Sequence, residues 1–121
     1  MSAAVDSGSQ PRRGYVYWVR VPDEPQGKRR PALVLSLDVR NRLANDVIVV
    51  PISSVLRDAP THVRLRAREG GLIRASVVKC EQITTLQKTR LVPRPLGGPL
   101  APARMVEVEK AVLRAIGVPV A

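Results

Sequence analysis

At 121 residues the chain is long enough for one domain with a real core and too short for two. It has no Phe, one Trp and two Tyr, so Val, Leu, Ile and Ala must build that core, and its single cysteine excludes an intrachain disulfide and a multi-cysteine zinc site. The formal charge of +10, carried by sixteen Arg and four Lys, implies a polyanion or a strongly acidic protein as partner.

Residues 1–13, rich in Ser, Gly and Ala and then basic, read as a loose basic tail, with residues 14–121 as the folded domain. The opening stretch has no long apolar run, which excludes a signal peptide, and no window reaches transmembrane length. No membrane partner and a cytoplasmic location are the expectation.

YVYWVRV, from Tyr15, alternates as a strand does and stops at Val21-Pro22. Residues 22–30 hold Pro, Asp, Gly and a run of cations and read as a mobile loop. PALVLSL (Pro31 to Leu37) is a nearly unbroken apolar run, hence a buried strand; a polar loop with Asn41 and Asn45 separates it from DVIVVPIS, in which Pro51 ends the ladder or sits on its edge. THVRLRA sets Val63, Leu65 and Ala67 against Arg64, Arg66 and Arg68, a half-exposed strand with a cationic outer face. After Gly70-Gly71, LIRASVVKCEQI and TTLQKTRLV read as further strands. The helix comes last, from about Pro102 to Ile116, with an apolar stripe of Met105, Val108, Val112 and Ile116 and a stop at Gly117. The sum is mainly β: a small barrel of five or six short strands with a C-terminal helix.

The chain has no phosphate-binding Gly-rich loop, no nucleophile elbow and no spaced pair of metal-ligand histidines. Its only close carboxylate pairs are Asp23-Glu24 and Glu107/Glu109, and the second, two apart on a helix, cannot clamp an ion, so no metal and no cofactor are expected. Cys80, inside an apolar pattern, reads as a buried thiol. His62 reads first as structural, with general-base catalysis as the alternative.

Arg30 stands apart from Lys28 and Arg29 because Pro31 holds it extended at the root of a buried strand. Lys28 and Arg29 suit ordinary phosphate attraction; an ordered Arg30 fork can grip a phosphoryl group and stabilise charge developing on it. Ser53 and Ser54, just past VIVVPI, either cap a turn or donate hydrogen bonds to phosphate oxygens. Gln82, Thr84 and Thr85 are polar groups able to read base edges, and Tyr17 and Trp18 able to stack a base, though Trp18 reads first as a core anchor.

RGYVYWV, GKRRPALVLS, VIVVPISS, PTHVRL, SVVKCEQI and TLQKTRL, in that order and spacing, resemble the MazF/PemK family of toxin endoribonucleases from bacterial type II toxin–antitoxin pairs, over about Arg13 to Gly117. The resemblance implies an SH3-like barrel of the MazF/PemK/CcdB type, a homodimer, and a cognate acidic antitoxin as partner. It implies sequence-selective, metal-independent cleavage of single-stranded RNA, in which the ribose 2′-OH attacks its own phosphate to leave a 2′,3′-cyclic phosphate and a 5′-OH. By motif, Arg30 takes the place of the catalytic Arg and Ser53 that of the usual Thr. Glu24 and Gln26, here split by Pro25, stand for the family's Glu-Gln pair, and Glu24, Ser54 and His62 are candidate supporting groups. A non-catalytic nucleic-acid-binding barrel is the alternative; a CcdB-like gyrase poison is disfavoured because the chain ends Gly117-Val118-Pro119-Val120-Ala121 and lacks the Trp-Gly-Ile terminus.

Overall fold

A computed structural model describes residues 10–24 and 27–121. The expected tail lies outside the described residues up to Ser9, whereas residues 10–13 are held against the domain. Pro11 is buried, the Arg12 N–H donates to the Tyr17 hydroxyl at 3.0 Å, and Arg13 reaches the Leu35 carbonyl, Asp38 and Glu109.

Six strands form: β1 (Val16–Arg20), β2 (Arg29–Val34), β3 (Asp46–Ser53), β4 (His62–Leu65), β5 (Ser76–Lys79) and β6 (Thr84–Gln87). All pairings are antiparallel, along the path β1-β2-β3-β5-β4, with β6 added to β3. No ladder joins β1 to β4. The expected barrel is therefore an open sheet by its ladders, and the outer edge of β1 is covered by the loop after β6, where Val19 bridges Leu91 and the N–H groups of Val92, Leu96 and Leu100 donate to the carbonyls of Trp18, Val16 and Gly14.

β3 organises the sheet. One edge pairs with β2 through Val49 to Pro51; the other pairs with β6 from Asp46 to Val49 and then with β5 at Ile52 and Ser53. Pro51 neither ends the strand nor lies at its margin. Its missing donor falls where β6 has ended and β5 has not begun, so no ladder bond is lost on that side.

The two faces of the sheet bury separate clusters. Val16, Leu33, Val50, Ile52, Leu65 and Val78 pack beneath the C-terminal helix; Tyr17, Val19, Val34, Val47, Val49 and Leu91 fill the other side. Period-2 alternation produces this division: Val16 and Val50 serve one core, Tyr17 and Val49 the other.

Two helices complete the described residues: α1 (Asp38–Leu43) and α2 (Pro102–Ala115). α1 occupies the stretch expected as a polar loop. Asn41, read as a turn residue, is fully buried; its amide donates to the carbonyls of Pro11 and Ser36 and its oxygen accepts from the Ser36 hydroxyl. Those tertiary bonds offset the poor helix propensity of Asn. α2 starts at Pro102 as expected; Met105 and Val108 are buried with Ala111, Val112 packs against the same core, and Ile116 departs from the expected stripe, 64% exposed because it caps the helix. Gly117, with φ +86°, turns the chain back so that the Val118 N–H reaches the Leu113 carbonyl.

The expected strand over LIRASVVKCEQI is shorter, only Ser76–Lys79. It is preceded by a tight turn at Glu69–Gly71, with Gly70 and Gly71 at positive φ, and followed by a second at Cys80–Gln82. Among the described residues no helix is long and apolar enough to cross a membrane.

Candidate functional site

The register of β2 against β3 ends at Ala32 opposite Pro51. Two residues further on stand Arg30 on one strand and Ser53 on the other, so continuation of the register sets them across from each other. Both line one cleft of about 740 Å³, together with Arg29, Ser54 and Gln82. The sequence-expected guanidinium and alcohol are therefore brought to one place.

Arg30 is fixed at its backbone and free at its head. It pairs with Val19 on β1 and is held extended by Pro31, while its side chain is 58% exposed. Its described charge partner is Glu24, with Oε1 at 3.9 Å from Nη2. An exposed pair at that separation is weak, so the fork stays available to an anion in the cleft.

Ser53 does what strand-end hydroxyls commonly do: its Oγ accepts the Val55 N–H at 3.0 Å. That bond uses one lone pair and leaves the O–H free to donate. Turn capping and phosphate binding are thus compatible, and the first orients the second.

The cleft gathers four cations, Arg29, Arg30, Arg74 and Lys79, and no carboxylate lies among its described lining residues. Arg74 and Lys79 were missed in the sequence, because Arg74 sits in an unpatterned stretch after the Gly-Gly turn and Lys79 lies inside an apolar strand. Trp18 is corrected: it is half-buried on the cleft wall, and Tyr17 is the aromatic that anchors the core. Burial pushes the Tyr17 hydroxyl up from its ordinary value.

Other expected groups lie elsewhere. Thr84 is exposed on β6, paired with Val49, and Lys28 is exposed in the loop before β2; neither lines the cleft. Gln26 lies outside the described residues. His62 also lies off the cleft, on β4 opposite Lys79. Its Nδ1 is 2.9 Å from the Arg57 carbonyl and its Nε2 3.1 Å from Glu81 Oε2. Donation to that carbonyl raises the imidazole above its usual value against the opposing effect of burial, and Glu81 adds to the rise. For Glu81, burial acts upward but is outweighed by its hydrogen bonds to the backbone, His62 and Thr61, which hold it below the usual carboxylate range. With both ring nitrogens engaged, His62 is built as a structural pair.

Cys80 is completely buried, and burial pushes its thiol up to about 12, which suits packing and opposes nucleophilic chemistry. Among the described residues no three His, Cys, Asp or Glu side chains cluster in a way that could hold a metal ion.

The profile of a family described as "PemK-like, MazF-like toxin of type II toxin-antitoxin system" matches residues 12–116. The chain is similar to Endoribonuclease MazF of Staphylococcus epidermidis, 34% identical over 111 residues that cover 88% of this chain and 91% of that protein. It is similar to Endoribonuclease EndoA of Bacillus subtilis (strain 168), 39% identical over 88 residues, covering 69% and 76%. Among solved structures, an endoribonuclease in complex with its cognate antitoxin from Mycobacterial species superposes with a TM-score of 0.74 at 31% identity, over 92% of this chain and 99% of that one.

Proposed function

The chain belongs to the family of PemK-like, MazF-like toxins of type II toxin–antitoxin systems, and from that membership we propose that it is an endoribonuclease that cuts single-stranded RNA at the cleft between the ends of β2 and β3. The observation that carries the reading is the convergence of Arg30 and Ser53 in a cleft of four cations with no carboxylate among its described lining residues.

Such a cleft suits cleavage by the substrate's own nucleophile. The ribose 2′-oxygen forms a bond to the adjacent phosphorus as the bond to the 5′-oxygen breaks; the 2′-OH proton leaves to a base and the 5′-oxygen gains a proton. The protein supplies in-line positioning and stabilises charge on the nonbridging oxygens. Arg30, permanently protonated, grips those oxygens, and Ser53 donates a further hydrogen bond. Glu24, which contacts Arg30 from outside the described cleft wall, is our candidate to accept the 2′-OH proton, with solvent as the alternative; His62, off the cleft, keeps a structural role. Gln82, on the cleft wall, reads a base edge in this proposal, and Arg29 serves phosphate attraction.

The same cationic groove suits the second partner, an acidic antitoxin segment laid over it, and the working form is a homodimer. One structural relative is itself described as bound to its cognate antitoxin.

The experiment incubates the purified protein with a long RNA in excess EDTA and maps the new ends. Discrete cuts with 5′-OH and 2′,3′-cyclic phosphate ends are expected. Dependence on added magnesium, or cutting of DNA instead, would overturn the reading. Binding of RNA without cutting would favour a plain binding barrel.

A further inference from the structure

Trp18 occupies a place that folding alone does not require. It is the single Trp of a chain with no Phe, yet Tyr17 takes the core position, 2% exposed, and Trp18 is left half-buried on the wall of a cationic cleft. Among the described residues no hydrogen bond engages its indole N–H, and that nitrogen is not among any buried, unpartnered atoms. A large aromatic surface kept partly wet gains most when a flat, weakly hydrated group covers it.

Its neighbours say what that group is. Trp18 sits opposite Pro31 in the β1–β2 register, and the next rung pairs Val19 with Arg30. Adjacent rungs alternate in face, yet Trp18 and Arg30 both line the one cleft, which adds apolar contact from Pro31, Pro51 and the 70% exposed Ile73. A polyanion carrying flat π-faces at short intervals along its chain matches this alternation of charge and aromatic surface.

We propose that Trp18 is the stacking platform for an unpaired base of the bound RNA, the base next to the phosphate gripped by Arg30; this rests on the endoribonuclease reading and adds a residue to its substrate site. Stacking is tolerant of base identity, because every base has a π-face. Trp18 therefore contributes affinity and alignment, and sequence choice falls to polar groups such as Gln82.

Because the chain has one Trp, all of its indole emission reports this position. The full chain is titrated with short random-sequence 2′-O-methyl oligonucleotides, which lack the attacking hydroxyl and are not cut. Saturable quenching is expected, and an abasic oligomer of the same length should leave the emission nearly unchanged. Equal quenching by the abasic oligomer would overturn the proposal, as would binding of the base-bearing oligomer, seen by anisotropy, without quenching. So would quenching by an acidic peptide and not by RNA.

In cleavage kinetics, Trp18→Leu should raise KM roughly five- to hundredfold for all substrates alike, with little change in kcat, and Trp18→Phe should recover most of the loss. The emission titration uses the unaltered chain, so it stands even where a variant folds poorly. If the wild type cuts RNA and Trp18→Leu leaves KM unchanged, the platform is wrong and the activity stands. If the wild type quenches with base-bearing oligomers but never cuts RNA, the activity is wrong and the platform stands.

Discussion

Glu24 Oε1 lies 3.9 Å from Arg30 Nη2, close enough to bias the guanidinium and too far for a firm hydrogen bond. With more than half of the Arg30 side chain exposed, the pair contributes little to folding, about 1 kcal/mol at most. Arg30→Ala should therefore lower the single-turnover cleavage rate about a hundredfold to a thousandfold while the melting temperature stays nearly constant. Arg30→Lys should recover little of the rate, since an ammonium is a point charge without the two-pronged grip. Retention of rate in Arg30→Ala would remove Arg30 from the chemistry.

Ser53 separates two roles that share one hydroxyl. Ser53→Ala removes both the acceptor for the Val55 N–H and the free O–H, so it should cost about tenfold to a hundredfold in rate. Ser53→Thr keeps both bonds and narrows the rotamers, and it should match or exceed the parent rate. A folded Ser53→Ala variant that keeps the parent rate would mean that the hydroxyl serves the turn alone.

Much of this geometry was legible in the sequence, and the reason is local. Alternation in Val16–Arg20 and His62–Leu65 and the apolar run in Asp46–Ser53 mark strands, and Pro31 marks Arg30 as rigid, so the meeting of Arg30 and Ser53 follows once β2 and β3 pair. What escaped depends on distant partners. α1 is six residues long, too short to express a helical period, and is held by the buried amide of Asn41. The choice between Tyr17 and Trp18 for the core turns on the distant residues that pack on each face of β1: Val34, Val47, Val49 and Leu91 close over Tyr17, and no stretch of β1 encodes them. Arg74 and Lys79 join the cleft only through the turns that flank β5. His62 and Glu81 are nineteen residues apart and carry no shared motif.

That His62–Glu81 contact sets a pH window for stability. The folded pKa of His62 lies above its ordinary 6.5, so its contribution is full below that value and fades as pH rises through the folded pKa. The folded pKa of Glu81 lies below its ordinary 4.5, so its contribution is full above 4.5 and fades as pH falls through the folded pKa. Both contributions are complete between pH 4.5 and 6.5. Denaturation of wild type and His62→Gln across pH should show the largest difference there, narrowing on either side. The variant should keep its cleavage rate near neutral pH; a loss of orders of magnitude in a folded variant would return His62 to the list of candidate bases.

Cys80 should be silent to thiol reagents while the chain is folded. With its thiol pushed up to about 12 by burial, the thiolate fraction at pH 8 is about one in ten thousand, and the sulfur is sealed from solvent as well. Titration with a chromogenic disulfide should give no reaction in buffer and one thiol per chain in denaturant. Rapid labelling of the native protein would contradict its placement in the core.

Gly71, on the cleft wall, packs directly against the backbone of Leu96 and Gly97. Gly71 has φ +88°, and a Cβ there would stand 2.4 Å from the Leu96 carbonyl carbon and oxygen and 2.6 Å from the Gly97 nitrogen. These are backbone atoms and cannot rotate away as a side-chain tip can. Gly71→Ala should therefore cost about 3 kcal/mol, from the left-handed backbone and the collision together. Gly98→Ala is the control: nothing lies within 4 Å of its Cβ, and its stability should change by no more than about 0.5 kcal/mol. Because Gly71 and Leu96 both line the cleft with Arg74, the damage should appear in activity below the melting transition as well. Equal melting temperatures for the two variants would show that Gly71 does not touch this backbone.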